Sequence, residues 1–197
     1  MISIEHEFES RSMLSEEKYF EIASDFYRYN QNLQTIVQRN QYFDDENLFL
    51  TKNEMVLRIR ITKKEAVLTL KIGQKDGHSK EYKQKISYFQ HKALVEKSHF
   101  PKGTIKLTLM SLGIPLLSLK FICEMKTKRS QINIKDYNFC VDENEYRGIK
   151  DYNIEVEATS MEKSREILEK LSKQYNFEIT KDYVTKAKRA LLMDKKE

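Results

Sequence analysis

Polar and apolar residues alternate with a period of two through several stretches of the chain, the spacing that sends successive side chains to opposite faces of a strand. In Ile4 to Arg11, the residues Glu5, Glu7, Glu9 and Arg11 share one face. In Val56 to Ile61, Arg58 and Arg60 oppose Leu57, Ile59 and Ile61, and in Val67 to Ile72, Thr69 and Lys71 oppose Leu68, Leu70 and Ile72. Glu81, Lys83 and Lys85 align in the stretch EYKQKI, and Asn153, Glu155 and Glu157 oppose Tyr152, Ile154, Val156 and Ala158. Helical spacing interrupts these strands. Ser15 caps an amphipathic helix that carries Tyr19, Phe20, Ile22, Ala23 and Phe26 and ends before Asn30. Ser160 opens a second with Ile167, Leu168 and Leu171 on its apolar stripe, and Asp182 to Met193 reads as a third. Phe89 to Leu119, which holds the only two prolines, Pro101 and Pro115, reads as short helices and turns, with Ile105 to Leu112 helical. Strands outnumber helices without regular β-α-β alternation, so the expected class is α+β with an antiparallel sheet.

Composition narrows this picture without redirecting it. With 197 residues the chain buries a sizeable core and is expected to form one domain over 1–197. A hydrophobic fraction of 40% with 33% charged residues is ordinary for a soluble protein. No apolar run approaches the roughly 20 residues needed to cross a bilayer, so no membrane partner is expected. The opening MISIEHEFES carries acids where a secretory signal has a basic segment. Cys123 and Cys140 form no disulfide framework or zinc spacing and read as small buried hydrophobes, which points to the cytoplasm. Five glycines and two prolines leave no linker to cut at.

A net charge of +5 does not by itself require a polyanionic partner. The 11 Tyr and 10 Phe alternate with charge as core-facing residues do, so nucleic acid is not an expected partner. His6, His78, His91 and His99 lack ligand spacing and read as structural or surface residues, with His6 on the apolar face of its strand.

The arrangement of charge carries more. A charged strand face most often looks at solvent, yet here acids concentrate near the two ends of the chain (Glu5, Glu7, Glu9; Glu155, Glu157) and bases in the middle (Arg58, Arg60, Lys71). Neighbouring carboxylates repel unless a cation sits between them, and hard divalent ions prefer such oxygen ligands. Arg and Lys opposite them supply charge-assisted hydrogen bonds to phosphate oxygens. Acids for a metal facing bases for phosphates are the requirements of metal-assisted phosphoryl chemistry.

On these residues a resemblance enters. Glu7-Phe8-Glu9-Ser10-Arg11, followed by MLSEEKYFEI, resembles the Glu-x-Glu-x-Lys signature of the CYTH superfamily, or triphosphate tunnel metalloenzymes, which includes class IV adenylate cyclases, thiamine triphosphatases and inorganic triphosphatases. The order of the later segments is similar too: NQYFDDENLFL, LRIRI, LTLKI, a strand bearing Glu81, PKGTIKLTLMSLGIPL, KTKRSQ, VDENEYRGIKDYNIEVE and VTKAKRALL. The likeness covers nearly the whole chain and is closest to small stand-alone bacterial members. It implies an eight-stranded antiparallel β-barrel, a tunnel with covering helices. Glu7, Glu9, Glu81, Asp142, Glu155 and Glu157 are then the implied ligands for Mg²⁺ or Mn²⁺. Arg11, Arg58, Arg60, Lys71, Lys83, Arg129 and Lys186 would bind a small triphosphate-bearing substrate, with Arg11 and Lys71 in the catalytic role. The implied activity is a metal-dependent triphosphatase, with an adenylate cyclase or a non-catalytic polyphosphate or nucleotide binder as alternatives; oligomeric state stays open.

The chain departs from the family pattern twice. Arg11 stands where the signature has lysine, exchanging a compact ammonium for a planar fork. Asn153 stands where close members carry glutamate. A register using Glu5, Glu7 and Glu9 is the alternative; the Glu7 register keeps the family spacing to the helix at Ser15.

Overall fold

The computed structural model describes residues 2–29, 33–75 and 78–192. Eight strands, β1 (Ile2–Leu14), β2 (Leu33–Asp44), β3 (Met55–Ile61), β4 (Ala66–Gly73), β5 (Ser79–Ile86), β6 (Lys120–Ile134), β7 (Tyr137–Tyr146) and β8 (Ile149–Ala158), close into one antiparallel barrel in the order β1-β5-β4-β3-β2-β6-β7-β8. Closure falls on β1, whose first half pairs with β5 from Ile2↔Gln84 to Glu7↔Ser79. Its second half pairs with β8 from Phe8↔Ala158 to Leu14↔Tyr152. The acid row read from the sequence therefore spans the seam, with Glu5 opposite Glu81 and Arg11 opposite Glu155. A two-residue turn sets the register of β7 on β8: Arg147 and Gly148 both take positive φ (46° and 75°), the conformation of a hairpin whose twist matches its strands.

The apolar rows face outward, beneath helices. Leu57 and Ile59 of β3 and Leu68 and Leu70 of β4 are buried under Leu94 of α3 (Tyr88–Lys97) and Ile105 and Leu109 of α4 (Thr104–Ser111), with the short α2 (Phe49–Lys52) adding Leu50. On the other side Val141, Ile154 and Val156 pack against Tyr19, Ile22 and Phe26 of α1 (Glu16–Tyr29) and Leu168 of α5 (Met161–Tyr175). Each fully buried Leu or Ile contributes about 1.5–3 kcal/mol, so this barrel is held from outside and its interior is free for polar groups. The helix starts are local: the Ser15 and Ser160 hydroxyls accept from Lys18 N and Lys163 N, both at 3.2 Å.

Four expectations need adjustment. The last helix, α6, runs Lys186–Leu192, not from Asp182; Thr185 caps it through Lys188 N (3.3 Å) while the Val184 carbonyl accepts from the Arg189 guanidinium at 2.6 Å, which keeps 182–185 out of the helix. Met193 lies outside the described residues. Lys85 leaves the charged row for the barrel's edge, where it meets Glu65 at 2.6 Å. His6 and His78 are not unrelated: the hairpin-like closure of β1 on β5 brings His6 Nδ1 within 3.0 Å of His78 Nε2. Cys140 is buried, but on the inward face beside acids, 3.9 Å from Asp142 Oδ2 and 3.8 Å from Glu155 Oε2. Strand parity puts it there, two residues from Asp142.

Candidate functional site: a charged tunnel

The barrel encloses a cavity of about 860 Å³, in the range of small-ligand sites. Among the described residues nine basic and six acidic side chains line it, so its wall carries an excess of positive charge. Of the thirteen residues singled out from the sequence for this site, eleven reach the cavity wall. Glu7, Glu9, Arg11, Arg58, Arg60, Lys71, Lys83, Arg129, Glu155, Glu157 and Lys186 line the cavity. Glu81 and Asp142 stand behind them, fully buried and bonded to the lining bases.

The β6–β7–β8 wall is closed on itself electrostatically. Arg129 forks onto Asp142, with Nε to Oδ1 at 2.9 Å and Nη2 to Oδ2 at 2.7 Å, and reaches Glu155 Oε2 at 2.5 Å. Lys186, from α6, bridges the same two acids, touching Asp142 Oδ2 and lying 2.9 Å from Glu155 Oε1. Burial pushes both carboxyls up, but Arg129 and Lys186 outweigh it and hold Asp142 below, and Glu155 well below, the usual carboxylate range. The two bases are raised in return, against their own burial.

Near the β1–β5 seam, Lys71 joins Glu7 (2.8 Å) and Glu9, and Lys83 joins Glu5 (2.7 Å) and Glu81 (2.8 Å). Burial raises Glu7, and Lys71 and Lys83 overcome it to hold the carboxyl low. Arg11 meets Glu9 and lies 3.7 Å from Glu155, bridging the two acid strands.

Two groups are left over. Arg60 bonds only the neutral Asn40 amide, Nε to Oδ1 at 3.0 Å, with no carboxylate in ion-pair reach among the described residues. Burial, with Arg58 and Arg129 nearby, lowers its guanidinium to about 10. Next to it Arg58 pairs with Glu81 at 2.9 Å, yet its buried Nε finds no partner. Of opposite sign is Glu157. It is exposed to the cavity though flanked by protein, has no ion pair among the described residues, and is raised by burial and by Glu7.

A divalent ion fits this donor set. Glu157 is a carboxylate in want of positive charge, and Asp142, Glu155 and Cys140 offer ligand atoms all within 4.8 Å of one another. Asp142 and Glu155, however, already have their countercharge in Arg129 and Lys186. Glu7 and Glu9 likewise share Lys71, with Lys83 on Glu7 and Arg11 on Glu9, so among the described residues the unmatched negative charge of the site lies at Glu157.

Sequence reading missed a layer of neutral polar groups. Asn40, Thr127 and Asn144 are buried in the barrel beside Asn153, which the sequence had singled out; Thr127 donates to Asn144 Oδ1 (2.9 Å) and Asn144 to Asn153 Oδ1 (2.8 Å). It also missed Asp151 and Arg189, paired at 2.8 Å. The even spacing of polar residues at 38 and 40, and at 127, 129 and 131, was the available signal.

A closed eight-stranded barrel with apolar residues outside and a charged cavity inside is a ligand-binding tunnel. The CYTH domain model matches residues 5–190, and the chain belongs to that family. A Bacillus halodurans protein presented as a candidate adenylate cyclase is similar, with 30% identity and a TM-score of 0.85 over 94% of this chain and 97% of that one. A Hippeastrum protein, a candidate adenylyl cyclase reported with a dominant triphosphatase activity, shares the fold at 18% identity and a TM-score of 0.72, covering 93% of each chain. The Schizosaccharomyces pombe Mediator head module also holds a chain of this fold, at 8% identity and a TM-score of 0.56, over 89% of this chain and 97% of that one. No curated protein matches the sequence. A fold found in such different settings leaves function to the site residues.

Proposed function

We propose that this protein is a metal-dependent triphosphatase that takes a small triphosphate, inorganic, thiamine-linked or nucleotide, into the barrel. The observation that carries the reading is Arg60, a half-buried guanidinium facing the cavity with only an amide for partner. Solvent in the empty cavity keeps the cost of its missing countercharge small, and a phosphate group entering the cavity would supply the missing partner. Arg58 offers its unbonded Nε beside it, so the two arginines form the anchor for one phosphoryl group through charge-assisted bonds.

Lys71, Lys83, Arg129 and Lys186 extend the cationic wall. Each now rests on carboxylates and would shift part of its bonding to phosphate oxygens when these arrive. Glu7, Glu9, Glu155 and Glu157 would hold Mg²⁺ or Mn²⁺, with Glu81 and Asp142 as fixed countercharges behind them. A bound ion of this kind supplies Lewis-acid stabilisation of charge on phosphoryl oxygens. Arg11 and Lys71 share Glu9, and on this reading both would act on the phosphoryl group next to the metal ligands. Hydrolysis joins a water oxygen to the terminal phosphorus and breaks its bond to the bridging oxygen, releasing orthophosphate and leaving a diphosphate.

The candidate cyclase similar at 30% identity favours one second reading, attack of a ribose hydroxyl on the α-phosphorus with loss of diphosphate. A panel of tripolyphosphate, thiamine triphosphate and ATP with Mg²⁺ or Mn²⁺ decides. Orthophosphate release supports the hydrolase, cyclic AMP supports the cyclase, and binding without turnover refutes both. The reading treats 1–197 as one domain acting in the cytoplasm; among the described residues no helix is long and apolar enough to cross a membrane.

A further inference from the structure

The charged residues assigned to substrate and metal all stand on strands except Lys186, which is delivered by α6. This helix has seven residues, too few to hold itself together in water. Its apolar seat is made of small contacts: Ala187, Ala190 and Leu191 lie against Tyr42, Cys123 and Met125 at one end of the barrel. Two alanines interdigitate with little and define the helix's position along that seat only loosely. Cys123 Sγ on the Ala190 carbonyl (3.2 Å) and the half-exposed Lys188 on Glu54 (2.6 Å) add one directional contact each, and the buried, multiply bonded contacts come from Arg189, whose side chain is 3% exposed.

Arg189 donates from Nε to Asp151 Oδ2 (2.8 Å), and from Nη2 to Asp151 Oδ1 (3.2 Å) and Asn153 Oδ1 (3.3 Å). Its Nη1 donates to Val184 O (2.6 Å), tying down the turn that leads into Lys186. The receiving carboxylate is itself fixed, since Tyr146 OH and Asn144 Nδ2 donate to Asp151 at 2.8 and 2.9 Å. A two-pronged guanidinium on an immobile carboxylate defines both distance and orientation.

Placement ties this clamp to the tunnel. Asp151, Asn153 and Glu155 follow each other on one face of β8, and Lys186 and Arg189 are three apart on α6, on one side of the helix. One helix face is thus pinned to one strand face at two points, Lys186 on Glu155 and Arg189 on Asp151. The neutral amide at 153 belongs to the arrangement. A carboxylate there would compete with Asp151 for Arg189 and would repel Asp142, its cross-strand partner.

We infer that Arg189, clamped by Asp151 and Asn153, is the positioning residue that holds Lys186 in the tunnel. The role of Lys186 toward a triphosphate rests on the proposed function; its placement does not, and is tested without any triphosphate. Lysines of the folded full-length protein are labelled by reductive methylation and followed residue by residue by mass spectrometry. In the native protein Lys186, with 12% of its side chain exposed and two acid partners, reacts slowly. Arg189→Gln is expected to raise the labelling rate of Lys186 at least about ten-fold while Lys71 and Lys83, held by strand partners, keep theirs; Arg189→Lys restores part of the protection. Should Arg189→Gln fail to fold, Asp151→Asn is read by the same criteria, with a rise of about three-fold or more at Lys186. Unchanged protection of Lys186 in the folded variant overturns the inference. An equal rise at Lys71 and Lys83 overturns it too, because it marks general loosening.

Discussion

Arg129 and Arg60 are both half-buried arginines facing the same cavity, and their surroundings differ completely. Arg129 forks onto Asp142 and touches Glu155, and its guanidinium is held well above the ordinary value. Arg60 has an amide and two repelling arginines, and is pushed down. The acids repeat the contrast: Asp142 and Glu155 are matched and depressed, whereas Glu157 is unmatched and raised. Charges that are complete in the empty barrel hold its walls in place. On the proposed function, the charges left incomplete are the places for an anion, at Arg60, and for a cation, near Glu157.

The contrast predicts opposite outcomes for like substitutions. Arg129→Met takes from Asp142 its main partner and from Glu155 one of its partners, leaving Lys186 to serve both, and should destabilise the fold by about 3 kcal/mol, the lower end for a broken buried pair, measured by urea or thermal unfolding. Arg60→Met should change stability by less than about 1 kcal/mol in either direction, because the group it removes has no charge partner. The same variant should lower tripolyphosphate affinity roughly 10- to 100-fold, the worth of a charged hydrogen bond. Comparable destabilisation by the two would break the comparison.

Arg11 sharpens it. Placed between Glu9 and Glu155, it should tolerate Arg11→Lys with turnover kept or raised. Arg11→Ala should weaken triphosphate binding about ten-fold, a loss that shrinks as salt rises. Equal affinity in all three proteins would remove Arg11 from the substrate and reopen the Glu5 register.

The smallest effect concerns Glu157. Its folded-state carboxyl titrates above its unfolded value, so the native protein binds the extra proton and loses stability as pH rises through that window. Glu157→Gln should abolish this slope and stabilise the metal-free protein at neutral pH by a few tenths of a kcal/mol, the scale of a solvent-screened site. Asp142 and Glu155 run the other way. Their stabilisation is present above the unfolded carboxylate range and is lost as pH falls through their depressed folded values. Stability profiles of Glu157→Gln and Glu155→Gln against pH check both signs.

The charged rows of β1, β3, β4 and β8 were legible because charge alternates with large apolar residues there, the sharpest contrast a strand can show. On β2, β6 and β7 the inward positions include Gln38, Asn40, Thr127 and Asn144, neutral groups that give little contrast with their neighbours; those strands were expected from family resemblance alone. Arg189 and Asp151 were beyond sequence reading for another reason. Which way a helix side chain points depends on where the helix seats, and α6 takes its place through contacts with strands far earlier in the chain, such as those of Cys123 and Tyr42. The late start of α6 has the same origin, since the Val184 carbonyl is claimed by Arg189. His6 and His78 meet only because β1 closes on β5.

The central claim, that the incomplete cationic wall is a triphosphate site, is tested most directly by calorimetric titration of tripolyphosphate in Mg²⁺ into the native protein and Arg60→Met. The account predicts one binding event in the native protein, weakened at least about ten-fold in a variant that unfolds at nearly the same temperature. Absence of binding in the native protein, or equal affinity in the two, would contradict it.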